Sequence, residues 1–140
     1  MMRKTLITAV AAIATAASAQ AALVDTPESL QKTFDMMTEH VGVEARLYVI
    51  TDQARAEYPV LKDMPRNAVG YAARIASGQC FVFVHEDIAE RFQAYVTLEH
   101  EYAHCVSWAQ HGENITPHGK DFRESCQSFA TNYGSCRESY

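Results

Sequence analysis

Residues 98–104 read LEHEYAH and lie within a segment, 88–110, whose apolar side chains recur every three or four residues. That spacing predicts an α-helix with one apolar face, and Gly112 is a natural place for it to end. Because four residues advance a helix by about 400°, His100 and His104 lie one turn apart on the same face. The segment, as one long helix or two abutting helices, therefore places two imidazoles beside a predicted core.

The two histidines have the spacing of a metal site. Imidazole nitrogens one turn apart can both reach one ion at about 2.0–2.1 Å. Glu101 lies about 100° around the helix from His100, so it stands beside such an ion without being a ligand. A carboxylate in that position can take a proton from a zinc-activated water. We therefore predict His100 and His104 as ligands and Glu101 as general base; the alternative is a helix surface with two spare histidines.

A catalytic zinc site needs a third protein ligand, and three downstream residues are candidates. His111 lies seven residues after His104, one too many for the metzincin pattern, and is better explained as a helix C-terminal residue. Glu124 lies twenty residues after His104, a spacing seen for the glutamate ligand of thermolysin-like enzymes. His118 opens the predicted last helix, in PHGKDF. His118 and Glu124 are about 240° apart on that helix, so both cannot face one ion.

The rest of the chain predicts an α+β domain, with three helices packed on a short β-sheet. The predicted elements are a helix from Thr26-Pro27 to Gly42, strands over 46–52 and 79–85, the histidine helix, and a helix from Thr116-Pro117 to Gly134. Residues 53–68 contain two prolines and mixed charge, which indicates a surface loop. The apolar spacing over 88–110 also places Phe92 on the predicted buried face of the histidine helix.

The first 19 residues are predicted to be a secretory signal peptide. A short basic start, MMRK, precedes an apolar run that is shorter than the roughly 20 residues a membrane span needs. Small residues then favour cleavage after Ala19, or after Ala21. The alternative is an N-terminal anchor. We expect a periplasmic or secreted protein whose domain occupies residues 26–136.

Charge excludes one class of partner. The formal charge is −5, and loss of Arg3 and Lys4 with the signal peptide makes it −7. No cluster of Lys and Arg remains to neutralise phosphates, so nucleic-acid binding is disfavoured. We expect a monomer that acts on a protein or peptide and does not contact the membrane once the signal is cleaved.

Four cysteines in an exported chain indicate two disulfides. We prefer the pairs Cys80–Cys105 and Cys126–Cys136. A bond between Cys105 and Cys126 would instead join the two helices that carry the candidate ligands. No Cys-x-x-Cys pair is present, which argues against a cysteine zinc ribbon or a thioredoxin-type redox pair.

Two motifs, HEYAHC (100–105) and TPHGKDF (116–122), resemble those of the SprT-like metalloproteases. In that family His-Glu-x-x-His is followed, after about a dozen residues, by His-Gly-x-x-aromatic. The spacer here, 105–117, has 13 residues, and the resemblance covers roughly 26–132, including GYAARI between the two strands. It implies a small zincin-like fold and a Zn²⁺ ion. The site residues it implies are His100, His104 and His118 as ligands, in preference to Glu124, Glu101 as base and Phe122 as a packing residue.

The sequence does not single out the residues that would stabilise an oxyanion or hydrogen-bond to the metal-binding histidines. Tyr71, Tyr102 and Tyr133 could each stabilise a developing oxyanion, although a core or surface role is commoner for tyrosine. Metal-bound histidines donate their second N–H to a carboxylate or carbonyl. Glu99 and Asp121 are near in sequence, but most such acids are solvated, and we assign the role to neither.

The sequence thus predicts an exported zinc metallopeptidase that hydrolyses peptide bonds. The alternative is a zinc-stabilised structural or partner-binding module without catalysis. A fourth protein ligand would favour the module, whereas an open coordination position would favour hydrolysis. The presence of Glu101 favours the enzyme, since a structural site has no use for a base there.

Overall fold

The computed structural model describes residues 23–137, and these confirm the α+β class. The predicted signal peptide lies outside the described residues. The elements, in chain order, are β1 (Leu23–Val24), α1 (Glu28–Val41), β2 (Arg46–Ile50), α2 (Asp52–Glu57), a short 3₁₀-helix (Pro59–Leu61), β3 (Gly70–Arg74), β4 (Cys80–His85), α3 (Gln93–His111) and α4 (Lys120–Gln127). Within 23–137 no helix has the length and apolar character needed to cross a membrane.

The four strands form one mixed sheet in the order β1-β2-β4-β3. Strands β2 and β4 are parallel, with Ile50 opposite His85, whereas β1 and β3 pair antiparallel to their neighbours. Central strand β4 is buried along its whole length. Its β-branched and aromatic residues suit that position, because both of its faces are covered. Strand β3 forms an edge of the sheet and lies against α3.

Alternate side chains of the sheet enter two cores. Leu47, Val82 and Val84 pack with α1 and α3, including Leu98 and Tyr102 of α3. On the opposite face, the side chains of Tyr48, Phe81 and Phe83 form an aromatic group covered by α2 and the 3₁₀-helix. The first of these cores fixes the position of α3, the helix that carries His100 and His104.

Helix α2 is a fourth helix, in a segment where the sequence predicts a loop. The Thr51 side chain accepts a hydrogen bond from the Ala54 N–H at 3.1 Å and so caps the helix. Ala54, Tyr58 and Leu61 are buried against the sheet. Both prolines lie outside α2, and the cap and the apolar contacts order the chain up to Leu61. The loop prediction was therefore wrong for 53–61, whereas 62–68 contain no helix or strand.

The histidine helix is a single helix that begins later than its apolar pattern suggests. Residues 88–92 form turns, and the Phe92 side chain is 72% exposed, so its assignment to the buried stripe was wrong. The last helix is also shorter than predicted at both ends. Gly119 has extended backbone angles (φ −80°, ψ −163°), so α4 begins at Lys120 and His118 precedes it.

Candidate metal centre

Two histidines from the middle of α3 and one from the turn before α4 lie close together. His100 and His104 lie one turn apart on α3, and His118 comes from the turn that leads into α4. One ring nitrogen from each lies within 4.8 Å of the other two, so the group could hold a metal ion. The Nε2 atoms of His100 and His118 are 3.2 Å apart. Two nitrogens at 2.0–2.1 Å on a tetrahedral ion would be about 3.3 Å apart, so this spacing fits an ion such as zinc.

The protonation of His100 is fixed by its partner. Its Nδ1 lies 2.8 Å from the Ser135 carbonyl oxygen, which can only accept, so Nδ1 carries the proton. The lone pair is then on Nε2, directed at the other histidines. Burial lowers the pKa of His100 to about 4 and that of His104 to about 3, which keeps both neutral near pH 7. Neutral imidazoles are the form that binds metals.

Two aromatic side chains form the walls of the histidine group. The ring centroid of Phe122 lies 5.0, 4.5 and 5.1 Å from those of His100, His104 and His118. This contact with all three rings agrees with the packing role that the family resemblance implies. The Trp108 ring stacks on His104 with centroids 5.6 Å apart. Each histidine ring is therefore held by packing as well as by its helix or turn.

Glu101 is buried beside the histidines. Burial raises the pKa of its carboxyl to about 8. Strand β3 approaches closely here: a Cβ added to Gly70 would lie 2.3 Å from Thr97 Cγ2 and 3.0 Å from Glu101 Cγ. Glycine at position 70 thus lets the edge strand lie directly against the Glu101 side chain.

An open cleft of about 680 Å³ gives access to the group. Its walls include His100, Glu101, His104, His118 and Trp108, together with β3 residues 70–72. A larger cleft of about 920 Å³ lies elsewhere, between the end of α1 and the turn at 77–79, and its lining includes none of the three histidines. The smaller cleft is therefore the relevant one, because it alone of the two is lined by the three histidines that could hold a metal ion.

Both disulfides lie close to the centre and match the preferred pairing. Cys80–Cys105 joins β4 to α3 at the residue that follows His104. Cys126–Cys136 joins α4 to the segment that contains Ser135. The alternative bond between Cys105 and Cys126 is not formed. Covalent links thus hold both ligand-bearing parts of the chain against their neighbours.

The other candidate residues lie apart from the histidines or have structural partners. His111 is exposed in the last turn of α3, and Glu124 pairs with Lys120 at 3.6 Å on the surface of α4. The Tyr102 hydroxyl donates to the Val43 carbonyl at 2.6 Å inside the core, and Tyr133 is 90% exposed. Of the three tyrosines considered, Tyr71 lines the cleft; burial first, then the charges of Asp63 and Glu101, raise its pKa.

Sequence reasoning missed two residues of the centre and left a third unassigned. Ser135 supplies a main-chain carbonyl, which any residue carries, so no sequence signal marks it. Trp108 lies four residues after His104, and its place on the histidine face could have been read from that spacing. Glu99 was weighed but left unassigned; it is buried and accepts hydrogen bonds from residues 131–135.

No protein-family model, curated protein or solved structure matches this chain. The assignment of function therefore depends on the geometry described above and on the two motifs.

Proposed function

We propose that this protein is an exported zinc-dependent metallopeptidase. His100, His104 and His118 hold the zinc, and Glu101 is the general base. The substrate is a protein or peptide, the enzyme acts as a monomer, and nucleic acid and membranes are not partners. The resemblance of the two histidine motifs to the SprT-like metalloproteases supports the same assignment.

One observation carries the proposal: the buried side chain of Glu101 and three histidines whose ring nitrogens lie close together line the same open cleft. A structural zinc site is normally closed by four protein ligands, whereas a catalytic site keeps one position open. The group found among residues 23–137 has three ligands, and it faces a cleft large enough for a peptide segment. The arrangement therefore favours catalysis over a structural module.

Each residue has a defined task in peptide hydrolysis. A zinc ion held there supplies a Lewis acid for the peptide carbonyl and a positive charge that favours the ionised form of Glu101. Glu101 accepts a proton from the attacking water and passes it to the leaving amine. We assign the donor for the developing oxyanion to Tyr71, because it lines the cleft whereas Tyr102 is committed to Val43.

The cleft suits an extended substrate. Strand β3 is an edge strand and forms one wall of the cleft at 70–72. An edge strand presents unpaired main-chain N–H and C=O groups, to which an extended peptide can add as a further strand. A peptide bound in this way would pass beside Glu101, because Gly70 brings β3 into contact with that side chain.

The test is cleavage of an unfolded protein by the mature, disulfide-bonded chain loaded with zinc. Glu101→Gln should lower kcat/KM by about 10²–10⁴-fold, the usual contribution of a general base, while zinc content stays unchanged. Glu90→Gln is the matched control, because Glu90 is exposed and outside the cleft. Equal, undetectable activity in the wild type and Glu101→Gln across diverse unfolded substrates would refute the enzyme and leave the zinc-stabilised module.

A further inference from the structure

The Glu99 side chain points away from the cleft and into the loop formed by residues 131–135. We propose that Glu99 is a positioning residue for the metal centre: its carboxylate holds this loop so that the Ser135 carbonyl fixes the ring of His100. The inference rests on the metal-binding part of the proposed function. It does not depend on whether the protein cleaves peptides.

The Glu99 carboxylate accepts five hydrogen bonds from the loop. Oε2 accepts from the Thr131 N–H at 2.7 Å and from Thr131 Oγ1 at 3.0 Å. Oε1 accepts from the Asn132 N–H and from Asn132 Nδ2, both at 2.9 Å, and from Ser135 Oγ at 2.8 Å. A buried carboxylate is tolerated only when it is satisfied in this way, so the charge and the loop conformation depend on each other.

An amide cannot replace this carboxylate. Each of its oxygens faces a main-chain N–H, one from Thr131 and one from Asn132. Whichever way a glutamine side chain were turned, its NH₂ group would meet a main-chain N–H, and that N–H would lose its acceptor. Glu99→Gln therefore preserves size and shape but removes the negative charge and leaves one main-chain donor of the loop without an acceptor.

The loop is connected to the metal centre through Ser135. Ser135 is fully buried; its hydroxyl donates to Glu99, and its carbonyl accepts the Nδ1–H of His100 at 2.8 Å. That bond places the His100 lone pair on Nε2, toward His104 and His118. The next residue, Cys136, is bonded to Cys126 of α4, so the segment is held covalently on its other side.

A role limited to folding predicts a different result from a positioning role. If Glu99 only anchors the loop, its substitution lowers the free energy of unfolding but leaves His100 unchanged in the folded protein. If Glu99 positions His100, substitution also weakens metal binding and alters the His100 N–H. Substitution of a residue that hydrogen-bonds to a metal-bound histidine typically weakens metal binding by about 10–100-fold.

The experiment compares zinc affinity, by competition with a chelator, in the wild type, Glu99→Gln and Glu124→Gln. Glu124 is an exposed acid of α4, so its variant controls for loss of a charge. We expect about 10–100-fold weaker zinc binding for Glu99→Gln alone. In ¹H–¹⁵N spectra of the zinc-loaded proteins, the slowly exchanging Nδ1–H of His100 should be lost from that variant and retained in the control.

A second variant tests the same inference in case Glu99→Gln does not fold. Thr131→Val/Asn132→Ala removes two of the five donors without changing Glu99, and it should give a smaller loss of affinity in the same direction. Unchanged zinc affinity and an unchanged His100 Nδ1–H in the folded variant would overturn the inference. A wild type that binds zinc but cleaves nothing would refute only the peptidase, whereas one that binds no zinc would refute both.

Discussion

The two sides of the histidine group differ in how they are held. On the helix side, His100, Glu101 and His104 are buried on the nineteen-residue α3, which packs on the sheet and is bonded to β4 through Cys105. On the turn side, His118 is half-buried in the non-helical segment 112–119 between α3 and α4. The helix side is therefore preformed by the core, while the turn side depends on local contacts.

This difference explains why the site needs Phe122. Its ring contacts all three histidines and is fully buried, so it links the turn side to the helix side. A ligand supplied by a turn adopts one position only when packing or metal binding restricts it. Variants that act on one side at a time can test this comparison.

Removal of the Phe122 ring should have the largest effect. Phe122→Ala is expected to lower the free energy of unfolding by about 3–5 kcal/mol, the usual cost of this substitution in a core. It should also weaken zinc binding, because His118 loses the surface against which it packs. Urea unfolding and chelator competition measure the two effects. Phe92→Ala, at an exposed phenylalanine, should change neither; similar losses in both variants would contradict the linking role.

The disulfides provide the second test. Cys80–Cys105 spans 25 residues of sequence and Cys126–Cys136 spans 10. Chain entropy then predicts losses of roughly 3.5 and 2.7 kcal/mol for the respective paired Cys→Ala variants. Zinc affinity should respond in the opposite order, because the shorter loop contains Ser135, which orients His100. Thermal unfolding and zinc competition report the two quantities, and an identical order in both would contradict the role of Ser135 in orienting His100.

Two glycines allow a smaller and more local perturbation. Gly70→Ala places a Cβ against Thr97 and Glu101, so we expect a loss of about 1–3 kcal/mol and impaired cleavage. Gly119→Ala places a Cβ 3.0 Å from Thr116 Cβ, next to His118, but Thr116 is exposed and can move, so its effect should be weaker. Adding Thr97→Ala removes the 2.3 Å contact and should restore part of the stability lost in Gly70→Ala. Equal losses for the two glycines would contradict a more rigid helix side.

The pH dependence of the metal-free protein between about pH 6.5 and 8 should give the smallest effect. The pKa values of His100 and His104, about 4 and 3, lie below the ordinary 6.5, so the unfolded chain takes up protons first and stability falls below about pH 6.5. The Glu101 pKa of about 8 lies above the ordinary 4.5, so stability also falls as pH rises toward 8, by an amount of the order of 1 kcal/mol.

Stability of the metal-free protein should therefore peak near pH 6.5–7, as measured by urea unfolding across this range. Glu101→Gln should remove the decline on the alkaline side and make the fall between pH 6.5 and 4.5 steeper, because the raised Glu101 pKa partly offsets the two histidines in that range. Persistence of the alkaline decline in that variant would show that another group causes it.

The helix side could be predicted because its geometry is local. The spacing of His100 and His104 fixes their common face, and the apolar residues around them place that face near a core. The segments of β2 and β4 are rich in β-branched and aromatic residues, which favour strands, so the α+β class could also be predicted from the sequence. The preferred cysteine pairs also proved to be those in the structure.

The turn side, and the residues that orient His100 on the helix side, could not be predicted because they depend on the folded backbone and on contacts distant in sequence. The sequence predicts a helix from Thr116-Pro117, but the extended backbone of Gly119 delays its start to Lys120, so His118 lies outside it. Ser135 lies 35 residues from His100, and Glu99 is satisfied by donors 32–36 residues away. Such partners are identified only once the chain has folded around them.

Trp108 provides an optical probe of the metal centre. It is the single tryptophan of the chain, and its indole is stacked on the imidazole of His104. Indole emission responds to a change of charge on a ring in contact with it, so titration with a divalent cation should change the fluorescence intensity of the unlabelled protein. Occupancy of the site can thus be followed in real time without attaching a dye.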